Sequence, residues 1–371
     1  MSRERFKAQA QDSFFGRFVY DEVIPSDHFM VKLKEIIPWE RFTYKLVRYY
    51  RGRAREGRPP YDPALLLRML LVSYLYDLSE RQTEEMVDYH LPIKCFVGLA
   101  VNEKAPDHST LTAFKTRLLE NGSIGAFEGM LTEIITIAQE KGVRFGSIQV
   151  MDSVHTVADV NTEKDQRRQK KEGKPPRDPH ARWGVKHTRR VKNQQGKVIE
   201  QKEYFHGYKA HVSLNSDSGL ITSMTYTSGN AYDGHELPKL LEKDLAQGVP
   251  IDIVSGDQGY GDSDNHFLLV SKGIHSAIRL NSYRTRKKDP SKEVWLALQK
   301  SPEYKRGLKE RYKVERKFGE AKVGHGLRRC RYIGLVRYAI QGFLTAIALN
   351  IKRMVKLLTG VNFKGRARAA A

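Results

Sequence analysis

The chain has 371 residues, 64 Lys and Arg against 43 Asp and Glu, a formal net charge of +21 and 40% hydrophobic residues. That length supports two or three domains with real cores, and the charge points to a polyanionic partner, nucleic acid before an acidic membrane surface. Cys95 and Cys330 lack metal-ligand spacing, which excludes a disulfide framework or a cysteine-based zinc site, and the apolar runs are too short or too interrupted for a membrane span.

Met1-Ser2-Arg3-Glu4-Arg5 leads into no apolar signal region, so a cytoplasmic protein is expected. Residues 1–140 read as a helical domain. Asp62 and Pro63 suit the cap and first position of a helix over Ala64–Leu75, apolar nearly all round and therefore a core helix. Ser79 and Gln82 have capping-box spacing at the start of a second helix. A third helix starts around Pro106–Leu111, and short helices with tight polar turns suggest a helix-turn-helix unit. In such a unit His108, Ser109, Thr112 and Lys115 would meet DNA. Arg51–Pro60 reads as a basic, Gly/Pro-rich linker.

From residue 141 to 358 the pattern changes to α/β. Strands are expected at Ser147–Asp152, His206–Leu214, Leu220–Thr227, Ile251–Ser255 and Ile274–Arg279, and an extra hairpin from Trp183 to Tyr204 turning at Asn193–Gly196. Helices are expected at Glu236–Ala246, Asp262–Lys272, Glu303–Lys322 and Tyr338–Leu358, which gives a mixed sheet with helices on both faces. A polar, basic insertion at about 161–182 has no apolar periodicity and reads as mobile, and 359–371 reads as a disordered tail.

Three acidic residues stand out. Asp152 and Asp257 each end an apolar run, and Glu315 sits in a basic helical stretch. Each alone is more often a cap, a turn residue or a solvated ion pair. Together, in so basic a chain, they suit phosphodiester chemistry, in which two divalent ions activate the nucleophile and stabilise the leaving oxygen. Magnesium prefers carboxylate oxygens, and short aspartates on a sheet inherit the backbone's precision. Arg311, Glu315 and Lys322 share one helix face, and the two cations are placed on DNA phosphates. Lys209 and His211 share a strand face and are candidates for substrate contact; Asp233 is read first as a helix cap.

Met151-Asp152-Ser153, Gly207-Tyr208-Lys209-Ala210-His211, Asn230-Ala231-Tyr232-Asp233 and Gly256-Asp257-Gln258-Gly259-Tyr260 resemble, in that order, motifs of the DDE-class bacterial insertion-sequence transposases. Arg311-x3-Glu315-x6-Lys322 matches the last-helix motif of their cut-and-paste branch, except that Leu308 stands at the tyrosine position. Tyr61-Asp62-Pro63 and Pro106–Leu111 resemble the helical domain of the same elements. The resemblance implies a ribonuclease-H-like catalytic domain with Asp152, Asp257 and Glu315 as catalytic residues and ligands of two Mg2+ ions, for which Mn2+ substitutes. It also implies binding to terminal inverted repeats and target DNA, a homodimer on DNA, and a bacterial, nucleoid-associated location. The rival readings are a metal-dependent nuclease of the same fold, an inactive transposase-derived DNA-binding protein and, with no RNA-recognition aromatic motif behind it, an RNA-binding protein.

Overall fold

The computed structural model describes residues 6–7, 14–50, 59–192, 198–281 and 290–364. The linker residues 51–58, the expected turn at 193–196 and residues 365–371 of the tail lie outside them. The chain divides into two compact units, Met1–Val143 with Leu344–Ala371, and Arg144–Phe343.

The first unit holds α1 (Phe14–Val23), α2 (Phe29–Ile36), α3 (Glu40–Val47), α4 (Pro63–Tyr76), α5 (Glu80–Tyr89), α6 (Leu91–Val97), α7 (His108–Gly122) and α8 (Gly125–Glu140). Helix α4 is its core: every residue from Pro63 to Leu75 is buried, Asp62 caps it by accepting from the Ala64 N–H, and Pro63 takes the first turn, where no N–H is needed. Such all-round burial explains why the segment shows no polar face. Ser79 and Gln82 form the capping box of α5, which contributes about 1 kcal/mol. Asp107 caps α7 through the Ser109 N–H. Helix α6 stands between α5 and α7, so the two do not follow each other directly as a simple helix-turn-helix pair would.

The second unit holds β1 (Ile148–Val157), α9 (Thr162–Glu172), β2 (Arg182–Lys192), β3 (Val198–Asn215), β4 (Ile221–Ser228), α10 (Leu237–Ala246), β5 (Ile253–Gly256), α11 (Ser263–Ser271), β6 (His275–Ile278), α12 (Lys292–Leu298), α13 (Pro302–Glu310) and α14 (Tyr312–Gly324). Helix α15 (Leu335–Thr359) starts in this unit and ends in the first. The strands run in the order β2-β3-β1-β5-β6, and β4 also pairs with β3. Strands β1, β5 and β6 are parallel, and the hairpin strands are antiparallel to their neighbours. This is the expected mixed sheet, consistent with a ribonuclease-H-like fold. Neighbouring residues of one strand point to opposite faces. Accordingly Val254 packs with Met151 and the leucines of α10 and α11, while Ile253 packs with Ile148, Ala277 and Tyr304 of α13. Among the described residues no helix is long and apolar enough to cross a membrane.

Several expectations change: the second arm of the expected hairpin and the strand expected at His206–Leu214 are one strand, β3. The basic insertion contains α9, which is capped at Asn161 and Gly173 and carries Glu163 and Asp165 in its first turn and Lys170 and Lys171 in its last. Those charges complement the helix dipole, and none of the helix is buried, so apolar periodicity could not reveal it. The single long helix ending at Lys322 is two helices, α13 and α14, meeting at Arg311. No Gly or Pro marks the junction. Finally, Asp152 lies inside β1 rather than at its end, because Ser153–Val157 continue to pair with β3 after β5 has stopped.

Candidate active site

Strands β1 and β5 are parallel neighbours, with Met151 opposite Gly256. The next residues, Asp152 and Asp257, therefore leave adjacent strands side by side, although 105 residues separate them in sequence (257 − 152). Strand β5 ends there, which opens the sheet at the two carboxylates. Asp152 Oδ1 accepts the Ser153 N–H at 2.7 Å. Burial pushes its carboxyl up to about 7; the nearby Asp257 and Asp233 add to the rise, while the Ser153 N–H and Arg311 oppose it. Asp257 is half exposed, and its Oδ1 accepts from Arg311 Nη2 at 3.0 Å.

Glu315 lies on α14, which packs against β1. One turn earlier, Arg311 holds Asp257; seven residues later, Lys322 Nζ meets His155 Nε2 at 3.4 Å on β1. The helix segment carrying Glu315 is thus tied at both ends to elements that carry the aspartates. Glu315 itself is exposed, on a face it shares with half-buried Arg311 and Lys322. The buried side of the helix carries Val314 and Ala321. Burial, with Lys186 and Arg328 nearby, lowers the Lys322 ammonium from its usual range.

Four of the five positions of the motif Gly207–His211 have a structural reason. A Cβ on Gly207 would lie 2.9 Å from the Ala158 nitrogen and collide with the Thr156 carbonyl, so only glycine lets β3 approach β1 there. Tyr208 is buried, donates to Asp178 and stacks on Tyr338 at 4.9 Å between ring centroids. Lys209 Nζ donates to Asp233 Oδ1 at 2.7 Å. His211 is fully buried between Tyr260 and Thr227, each at 2.9 Å, and burial lowers its pKa to about 4. It belongs to the core of the sheet and cannot contact DNA.

In the helical unit the four candidate DNA residues divide. Lys115 is buried and paired with Glu80, which also accepts from Thr112 Oγ1 at 2.6 Å, so Lys115 is a strut between α5 and α7 rather than a DNA contact. His108 Nδ1 lies 2.8 Å from Glu84 Oε2. Ser109 and Thr112 remain on the exposed face of α7. Sequence reasoning did not assign a site role to Asp233 or Ser153. The only signal at Asp233 was its place in the Asn230–Asp233 motif.

The donors around Asp152 fit a divalent cation. They are hard carboxylate oxygens, and a carboxyl raised by burial and by like charges is one that a nearby positive charge would ionise. Among the described residues, however, Asp152, Asp257 and Glu315 do not bring their ligand atoms all within 4.8 Å of one another; Glu84, Asp107 and His108 do. Three carboxylates repel at such a spacing, and Arg311 already neutralises Asp257.

Two models of known families match the chain. A family model described as a transposase DDE domain matches residues 150–351, more than half of the chain. A second, described as a transposase domain (DUF772), matches residues 18–117.

Proposed function

Because the chain belongs to the family of DDE transposases, whose members use divalent metal, we propose that it cuts the ends of a mobile element and joins them to target DNA, with Asp152, Asp257 and Glu315 as the catalytic carboxylates. The observation that carries this reading is the parallel register that sets Asp152 beside Asp257 at the open end of β5, next to the helix bearing Glu315. The three carboxylates would hold two Mg2+ ions, with Mn2+ as a substitute. Such ions lower the pKa of bound water and stabilise the attacking and leaving oxygens.

The chain's own residues would bind, orient and neutralise. Asp152 would bind in its ionised form, giving up the proton that burial favours. Arg311 and Lys322 flank Glu315 and would neutralise the phosphates on either side of the scissile bond, Arg311 exchanging Asp257 for DNA. Water attacks the phosphodiester at the element end and releases a 3′-hydroxyl. That hydroxyl attacks a target phosphodiester in line, and the target 3′-oxygen leaves. No covalent protein intermediate is needed.

The helical unit would recognise the terminal inverted repeats through the exposed face of α7, where Ser109 and Thr112 lie. Two ends must be processed together, which favours a two-fold homodimer on DNA, in the cytoplasm at the bacterial nucleoid.

A cleavage assay on paired element ends with a target plasmid tests this. Asp257→Asn is expected to lower strand cleavage by about a thousandfold or more, the loss of several kcal/mol of transition-state stabilisation, while end binding stays within about twofold. Wild-type cleavage by that variant would reject the assignment. Cleavage without joining in the native protein would favour the nuclease reading.

A further inference from the structure

Asp233 opens a 3-10 turn, Asp233–Glu236, ahead of α10, yet makes no side-chain cap to that helix. Its two oxygens are engaged separately. Oδ1 accepts from Lys209 Nζ at 2.7 Å, and Oδ2 accepts from Ser153 Oγ at 3.1 Å. Ser153 directly follows Asp152, so Asp233 grips β1 one residue from the buried carboxylate. The turn after Asp257 meets the same group: a Cβ on Gly259 would stand 3.4 Å from Asp233 Oδ2. Lys209 is anchored as well, donating to the Ala231 carbonyl at 3.0 Å. Both partners are largely shielded, with 16% of the Lys209 side chain and 19% of the Asp233 side chain exposed. One carboxylate therefore holds the strand of Asp152, lies close to the turn of Asp257, and neutralises a lysine held beside them.

We infer that Asp233 is a positioning residue of the metal site: it fixes β1 through Ser153 and cancels the Lys209 charge, which would otherwise repel an incoming cation. This rests on the metal-binding role given to Asp152 and Asp257 above. Asparagine at 233 keeps an acceptor for Ser153 but leaves Lys209 uncompensated, so the two functions separate.

The test is titration of the metal-free full chain with Mn2+, reading free Mn2+ by electron paramagnetic resonance, without turnover. Asp233→Asn is expected to weaken Mn2+ binding by about 10- to 100-fold, the usual cost of losing a group that supports metal ligands. Adding Lys209→Met to that variant should restore at least half of the loss on a logarithmic scale. If Asp233→Asn fails to fold, Ser153→Ala serves instead, with an expected loss of about tenfold. Binding within twofold of wild type in Asp233→Asn, or in Ser153→Ala where that variant stands in, overturns the inference; so does a loss in Asp233→Asn that Lys209→Met does not relieve. Asp152→Asn separates this from the underlying reading: unchanged binding in that variant rejects the metal site itself.

Discussion

Asp152 carries the most consequential electrostatics of the chain. Its ordinary value is 3.8, and in the folded protein burial and its acidic neighbours raise it to about 7. Between these values the folded state holds a proton that the unfolded state has released. Stability without metal therefore falls as pH rises from about 4 to about 7, and the deficit persists above that range. Asp152→Asn removes the deficit, so at pH 8 without metal the variant should melt at a higher temperature than wild type, with the difference gone near pH 4. Metal binding has the opposite dependence, because a ligand carboxylate must be ionised. Calorimetry in two buffers at pH 6 should show about one proton released per Asp152 site. Equal melting temperatures at pH 8, or no proton release, would show that this carboxyl titrates normally. His211 shows the limit of reading residues from sequence. Alternation put it on a face with Lys209, but alternation cannot say whether that face is covered, and the Tyr260 and Thr227 hydroxyls claim both ring nitrogens.

At the scale of elements, the strands were legible because their apolar runs are bounded by turn residues and by the acids that follow them. Three things were not. Helix α9 is held by its caps, its charge order and the hydrogen bonds of Asp165 and Arg168 to the segment that follows it, none of which apolar periodicity reports. The division between α13 and α14 carries no local breaker. The third is the close approach of α13 to the sheet, which depends on Gly307: a Cβ there would stand 2.8 Å from Ile253 Cγ2 and closer still to Ala277. Glycine inside an exposed helix normally costs about 1 kcal/mol relative to alanine, so helix propensity alone predicts that Gly307→Ala stabilises. Overpacking reverses the sign, because the neighbouring atoms belong to buried strands β5 and β6 and have little room to yield. Gly307→Ala is expected to cost about 1–3 kcal/mol in denaturant unfolding. It should also slow cleavage, since α13 leads directly into Arg311. A stabilised variant would mean that α13 does not seat on the sheet as closely as described.

The whole molecule combines a net charge of +21 with a sheet that sets carboxylates side by side. The charge, the order of the motifs and the change from helical to mixed pattern were readable in one dimension, because each is a property of composition or local periodicity. Which cations are spent internally was not readable. Lys115 on Glu80, Arg311 on Asp257 and Lys209 on Asp233 are pairings across 35, 54 and 24 positions, visible only once the chain is folded. The account depends most on three acids acting as one metal site. Crystals of the full chain soaked in Mn2+ and measured at the manganese absorption edge address that directly. The prediction is two anomalous peaks about 3.5–4 Å apart, bonded by Asp152 and Asp257 and completed by Glu315. Manganese found only at Glu84, Asp107 and His108, with Asp257 still paired to Arg311 and Glu315 facing solvent, would contradict it.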